Sequence, residues 1–103
     1  MEFEFGEKLK FDFGLIKDQK WSNEVRYYFP MVKYYPILQM IKDHIWFPKN
    51  VCIFQGRLKF DDFATMNLQA VDEKALYEHI KFIVKKAKDL LNIISYKRMQ
   101  EDF

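Results

Sequence analysis

Serine and threonine are almost missing from this 103-residue sequence: Ser22, Thr65 and Ser95 are all it has. With Ser95 deep in an apolar-striped segment and no G-x-S-x-G present, a serine or threonine nucleophile is disfavoured. Glycine is equally scarce, and Gly6, Gly14 and Gly56 are not clustered, which excludes a phosphate-cradling loop and a dinucleotide fingerprint. Cys52 is the one cysteine, so no intrachain disulfide exists. Its neighbours Val51, Ile53 and Phe54 describe a small buried hydrophobe in a reducing compartment. No two of His44, His79 and Cys52 stand at a metal-ligand spacing, so no metal site and no cofactor are expected. Asp61 and Asp62 read as turn residues rather than as an acid and a base. Arginine is rare, with only Arg26, Arg57 and Arg98 among the 17 cations, which weakens base-specific reading of duplex nucleic acid. No apolar run approaches the ~18 residues of a membrane-spanning helix, and the acidic, alternating start is unlike a secretory signal, so a cytoplasmic protein without membrane contact is expected.

What is abundant is packing material. Half the residues are hydrophobic and 18% aromatic, while 31% are charged with a net charge of only +2. This is the composition of one globular domain spanning residues 1–103. Any cationic site must be local.

The periodicity points to an α+β domain: an antiparallel sheet of about five strands against a long C-terminal helix and one shorter helix. Phe3 and Phe5, then Leu9, Phe11 and Phe13, alternate with charges on either side of Gly6-Glu7 and predict a hairpin. A polar stretch follows through Asp18, Gln19, Lys20, Ser22 and Asn23. Val25, Tyr27 and Phe29 alternate with Glu24, Arg26 and Tyr28 and predict a strand that stops at Pro30. Pro36 opens an expected helix to about Phe47, with Ile37, Leu38, Ile41 and Ile45 on one face. Val51 to Phe54 reads as a strand buried on both faces, ended by a bulge or turn at Gly56. Residues 57–70 fit either two strands about a turn at Asp61-Asp62 or one long bent strand. Leu76, Ile80, Ile83, Ala87, Leu90 and Ile94 then mark a helix from an Asp72 N-cap, with Val71 as a staple, to about Met99. Its ~27 residues would reach ~40 Å, so one end is expected to project.

Two surface features bear on function. Arg26-Tyr27-Tyr28 and Lys33-Tyr34-Tyr35 each pair a cation with two tyrosines, and Arg26, Tyr28, Lys33 and Tyr35 are candidate partner-binding residues. The polar side of the last helix carries Lys74, Lys81, Lys85 and Lys88, with Lys86 close by; residues 81–98 hold six cations against one anion, Asp89. The aromatic surplus, together with the shortage of nucleophiles, favours a small non-catalytic interaction factor of the inhibitor, immunity or accessory type, acting on a protein partner and forming a homodimer. A weakly sequence-selective nucleic-acid-binding module using the lysine stripe is the alternative, and a cysteine enzyme pairing Cys52 with His44 or His79 the second. The lysine, phenylalanine, isoleucine and tyrosine bias hints at an AT-rich genome such as that of a virus or mobile element.

Overall fold

The computed structural model describes residues 3–30 and 32–101. A helix α1 (Glu4–Phe13) precedes five strands, β1 (Ile16–Trp21), β2 (Glu24–Tyr28), β3 (Leu38–Ile41), β4 (His44–Phe54) and β5 (Arg57–Asn67). A 3₁₀ turn (Leu68–Ala70) then leads into α2 (Glu73–Glu101). The strands form one antiparallel meander in the order β1-β2-β3-β4-β5. The architecture is therefore the expected α+β sheet with a long C-terminal helix and one short helix.

Both helices cover the same face of the sheet. Val25 and Tyr27 of β2, Leu38 and Met40 of β3, Ile45 and Val51 of β4, and Leu58 and Phe60 of β5 are buried beneath Leu76, Ile80, Ile83, Val84 and Ala87 of α2 and Phe5 and Leu9 of α1. This is the alternation of a half-covered sheet meeting the 3.6-residue stripe of a helix. Asp72 caps α2 as its sequence suggests: its Oδ1 accepts from the backbone N–H groups of Lys74 at 3.1 Å and Ala75 at 3.2 Å. The long helix stretches the molecule to 51 × 27 × 23 Å.

Several local expectations are overturned. Glu4–Phe13 is a helix, not a hairpin. Phe5, Leu9 and Phe13 recur at four-residue steps as well as at even ones, so both periods were satisfied; Phe11, which a hairpin would have buried, is 87% exposed. Gly14, at φ 65°, ends the helix in the left-handed conformation that glycine adopts without strain. The polar stretch after Gly14 is the edge strand β1, whose charged side chains suit an edge.

The helix expected from Pro36 to Phe47 is instead β3 and the start of β4, joined by a two-residue turn with Lys42 at φ 55°. The apolar spacing of Ile37, Leu38, Ile41 and Ile45 fitted a helix, but Leu38 and Met40 are buried by alternation, and isoleucine favours strands. Pro48 is tolerated because β3 ends opposite Trp46, which leaves β4 beyond that point with a partner strand on one side only. Val51–Phe54 is buried on one face, not two: Val51 is inside, Cys52 half-buried and Ile53 and Phe54 exposed. Gly56 makes a turn, in which Gln55 (φ 52°) and Gly56 (φ 75°) take the paired positive angles of a tight two-residue hairpin. Of the two readings of residues 57–70, the single bent strand is the one formed, but it ends at Asn67, and Leu68–Ala70 is the 3₁₀ turn. Asp62 bends the strand at φ 56°, its N–H bonded to the Asp61 carboxylate.

One ionic tie fastens α1 to the sheet. Lys17 of β1 donates to the Glu7 carboxylate, which also accepts from the Tyr27 hydroxyl at 3.4 Å. The Lys17 hydrogen bond outweighs the effect of burial and lowers the Glu7 pKa from its ordinary 4.5. A depressed carboxylate pKa adds stability that is present above the unfolded value and lost as pH falls through the folded one. The stability advantage of the native protein over Glu7→Gln should therefore shrink between about pH 5 and pH 3 in thermal melts; a difference that stays constant would show that the tie contributes nothing.

Candidate macromolecule-binding face

Among the described residues neither helix covers the other face of the sheet, and the strand register states which side chains share it. One cross-strand row runs Asp18, Arg26, Gln39, Trp46, Thr65; the next runs Trp21, Glu24, Ile41, His44, Asn67. Both tryptophans of the chain thus lie on this face, Trp21 58% and Trp46 39% exposed. At its centre the Glu24 carboxylate accepts from Arg26 Nε at 2.5 Å and Gln39 Nε2 at 2.8 Å. The Tyr28 hydroxyl, and then Glu24, raise the Arg26 pKa and keep the guanidinium charged.

Beside the β4–β5 turn, at the edge of the sheet, lies a groove of about 540 Å³ lined by Tyr34, Tyr35, Phe54, Gln55, Arg57, Leu58 and Lys59; Tyr34, Arg57 and Leu58 also border Leu91 and Ile94 of α2 in an adjoining cavity. Register puts Phe54 beside Arg57 and Cys52 beside Lys59, and Phe63 two pairs further on is on the same side. The cations rest over the rings: Arg57 lies 5.8 Å from the Tyr34 centroid and donates to the Tyr34 hydroxyl at 3.0 Å, and the Lys59 ammonium is 4.9 Å from the Phe54 centroid. Tyr35 packs against Phe63 with centroids 6.3 Å apart. Among the described residues no carboxylate lines the groove.

The sequence-derived candidates divide between two surfaces. Arg26 and Tyr28 stand on the open face, Tyr35 stands at its groove, and Lys33 is exposed in the segment that joins β2 to β3. Lys74, Lys81, Lys85 and Lys88 are exposed on α2, opposite the stripe of Leu76, Ile80, Ile83 and Ala87 that packs on the sheet, so they point away from the open face. Lys86 is partly withdrawn, donating to Asn50 Oδ1 at 2.7 Å. The tyrosines and the lysine stripe do not converge.

The Cys52 thiol and the imidazoles also stand apart. Eight residues of extended β4, roughly 26 Å, separate Cys52 from His44, whose Nδ1 lies 2.8 Å from its neighbour Asp43. His79 is held 2.8 Å from the Pro48 carbonyl oxygen and edge-on to Phe47. Among the described residues no three of His, Cys, Asp and Glu gather as metal ligands would, and no helix is long and apolar enough to cross a membrane.

Sequence reasoning did not assign Trp21, Trp46, Phe63, Arg57 or Lys59 to a site. Trp46 falls within the helix expected from Pro36 to about Phe47, which does not form, and Phe54 within the strand expected to be buried on both faces. The signal that would have found them is the parity of residues 44–54 and 57–67 once both are taken as full-length strands. Compared with known proteins, the chain matches no family model, no curated protein and no solved structure.

Proposed function

We propose that this protein is a non-catalytic binding protein that seats a macromolecular partner on the open face of its sheet. The observation that carries this reading is the set of exposed rings, Trp21, Trp46, Phe63 and Tyr35, set among polar side chains on a sheet whose other face holds both helices. Exposed rings set among polar groups are typical of interaction sites, and aromatic residues are the anchors that dominate binding energy when desolvated. The face also offers Arg26, Gln39 and Thr65 for directional contacts. The separated thiol and imidazoles favour binding over bond-making chemistry.

A photo-crosslinking side chain placed at Trp46, compared with one at Lys81 on the far side of α2, tests the assignment in cells of the native host. Adducts are expected at position 46 and not at 81; adducts at 81 alone, or at neither, overturn it. An adduct of twice the protein's mass, with a dimer in sedimentation, identifies the partner as a second copy and supports the homodimer expected from composition.

A further inference from the structure

We infer that the occupant of the open face is a single-stranded nucleic acid, with bases stacked on the exposed rings and phosphates held by Arg57 and Lys59; this rests on the binding-face reading above.

The first support is chemical interleaving. In the hairpin-end groove every charged side chain is a cation and each lies over an aromatic ring: Arg57 over Tyr34 and Lys59 over Phe54. A strand of unpaired nucleotides supplies what both partners of such a pair want, a flat π-face for the ring and an anion for the cation. The comparable groove between α1 and α2, also about 540 Å³, mixes Glu4 and Glu73 with Lys8 and Lys74 and so carries no such sign.

The second support is register. Phe54, Arg57, Lys59, Phe63 and Trp46 share one side of β4 and β5, with Tyr35 against Phe63 and Gln39 and Arg26 beside Trp46; between the two ends Pro48 is buried opposite Phe63 and Asn50 is bonded to Lys86 of α2, so the rings and cations form two patches on one side. Asp61 shares the face by register but does not line the groove. From Trp46 to Phe54 is eight residues of strand, roughly 26 Å, enough for at most about eight nucleotides at a stacked rise of ~3.4 Å. A duplex hides its base faces and would leave the rings unused. A second copy of the chain would have to bury Arg57 and Lys59 without any carboxylate in the groove to meet them, at a large desolvation cost.

Because both tryptophans lie on the face, intrinsic fluorescence reports occupancy without a label. Titration with dT8, rU8 and a blunt DNA duplex at about 50 mM salt should quench the tryptophans with the single strands and more weakly with the duplex; the two single-strand arms show which sugar is preferred. Trp46→Ala should weaken binding, read by anisotropy of a labelled strand, about tenfold or more. Arg57→Gln with Lys59→Gln should weaken it and reduce the slope of log affinity against log salt by about 1.4, while Lys81→Gln with Lys85→Gln should leave it unchanged.

No association of either single strand at about 50 mM salt overturns the inference, as does binding lost in the Lys81/Lys85 variant and kept in the Arg57/Lys59 one. Crosslinks from position 46 to a protein, with no oligonucleotide binding, refute the nucleic-acid inference and leave the binding-face reading standing. Circular dichroism of each variant separates a lost site from a lost fold.

Discussion

Replacing Phe60 with alanine is expected to cost about 3–5 kcal/mol of folding stability, the range for emptying a large buried ring site. Phe60 is 1% exposed, meets Phe29 edge-on with centroids 6.3 Å apart and pairs with Val51 across the β4–β5 ladder. A small domain has only about 5–15 kcal/mol of net stability, so the variant should melt far below the native protein or fail to fold. Lys59, one residue earlier, projects from the other side of the strand, and its replacement by alanine should change stability by less than about 1 kcal/mol. Urea unfolding of the two variants tests the register on which the binding face depends. A slip of one residue in β5 would exchange the two results, since successive side chains point to opposite faces.

The second large effect runs against helix propensity. Alanine is the better helix former by about 1 kcal/mol, so on sequence alone Gly6→Ala should stabilise α1. In the folded protein a methyl group at Gly6 would stand 2.6 Å from Phe3 Cδ1, 2.6 Å from the Tyr27 hydroxyl oxygen and 2.7 Å from Tyr27 Cε2. Phe3, just before the first turn, is itself buried against Phe5 and Tyr27, and Tyr27 is wholly buried in β2 between paired neighbours. Overpacking of this kind costs about 1–3 kcal/mol and should exceed the propensity gain, giving a net loss and a lower melting temperature. A more stable variant would mean that α1 rides farther from the sheet than the hydrogen bond between Tyr27 and Glu7 implies.

These two residues also show why core and candidate site are separable. Phe60 and Tyr27 face the helices, whereas Lys59, Arg26 and Tyr28, their neighbours in sequence, face away. Substitutions in the second set can test binding without removing the packing that holds the sheet together. The Glu7–Lys17 tie lies at α1, away from the groove at the β4–β5 turn, so its titration at low pH should be read in stability rather than in binding.

By itself the sequence determined α2 and β2 and the general class. Leu76, Ile80, Ile83 and Ala87 fit only a helical period, and Asp72 in front of them has the acceptor a first turn needs. Val25, Tyr27 and Phe29 fit only an alternating one. The shortage of serine, threonine and glycine and the excess of rings were likewise legible without a structure, because they are properties of composition. Tertiary structure decided the rest. Residues 3–13 satisfy both periods, as do residues 37–45, and in such stretches local preference differs by less than the burial a neighbouring element can supply. Gly6 admits α1 against Tyr27, and the Lys42 turn folds β3 onto β4, so each ambiguous stretch took the form that covered the sheet. Which aromatics remained in water was settled last, since only the placing of both helices on one side of the sheet left the other side, with both tryptophans, open.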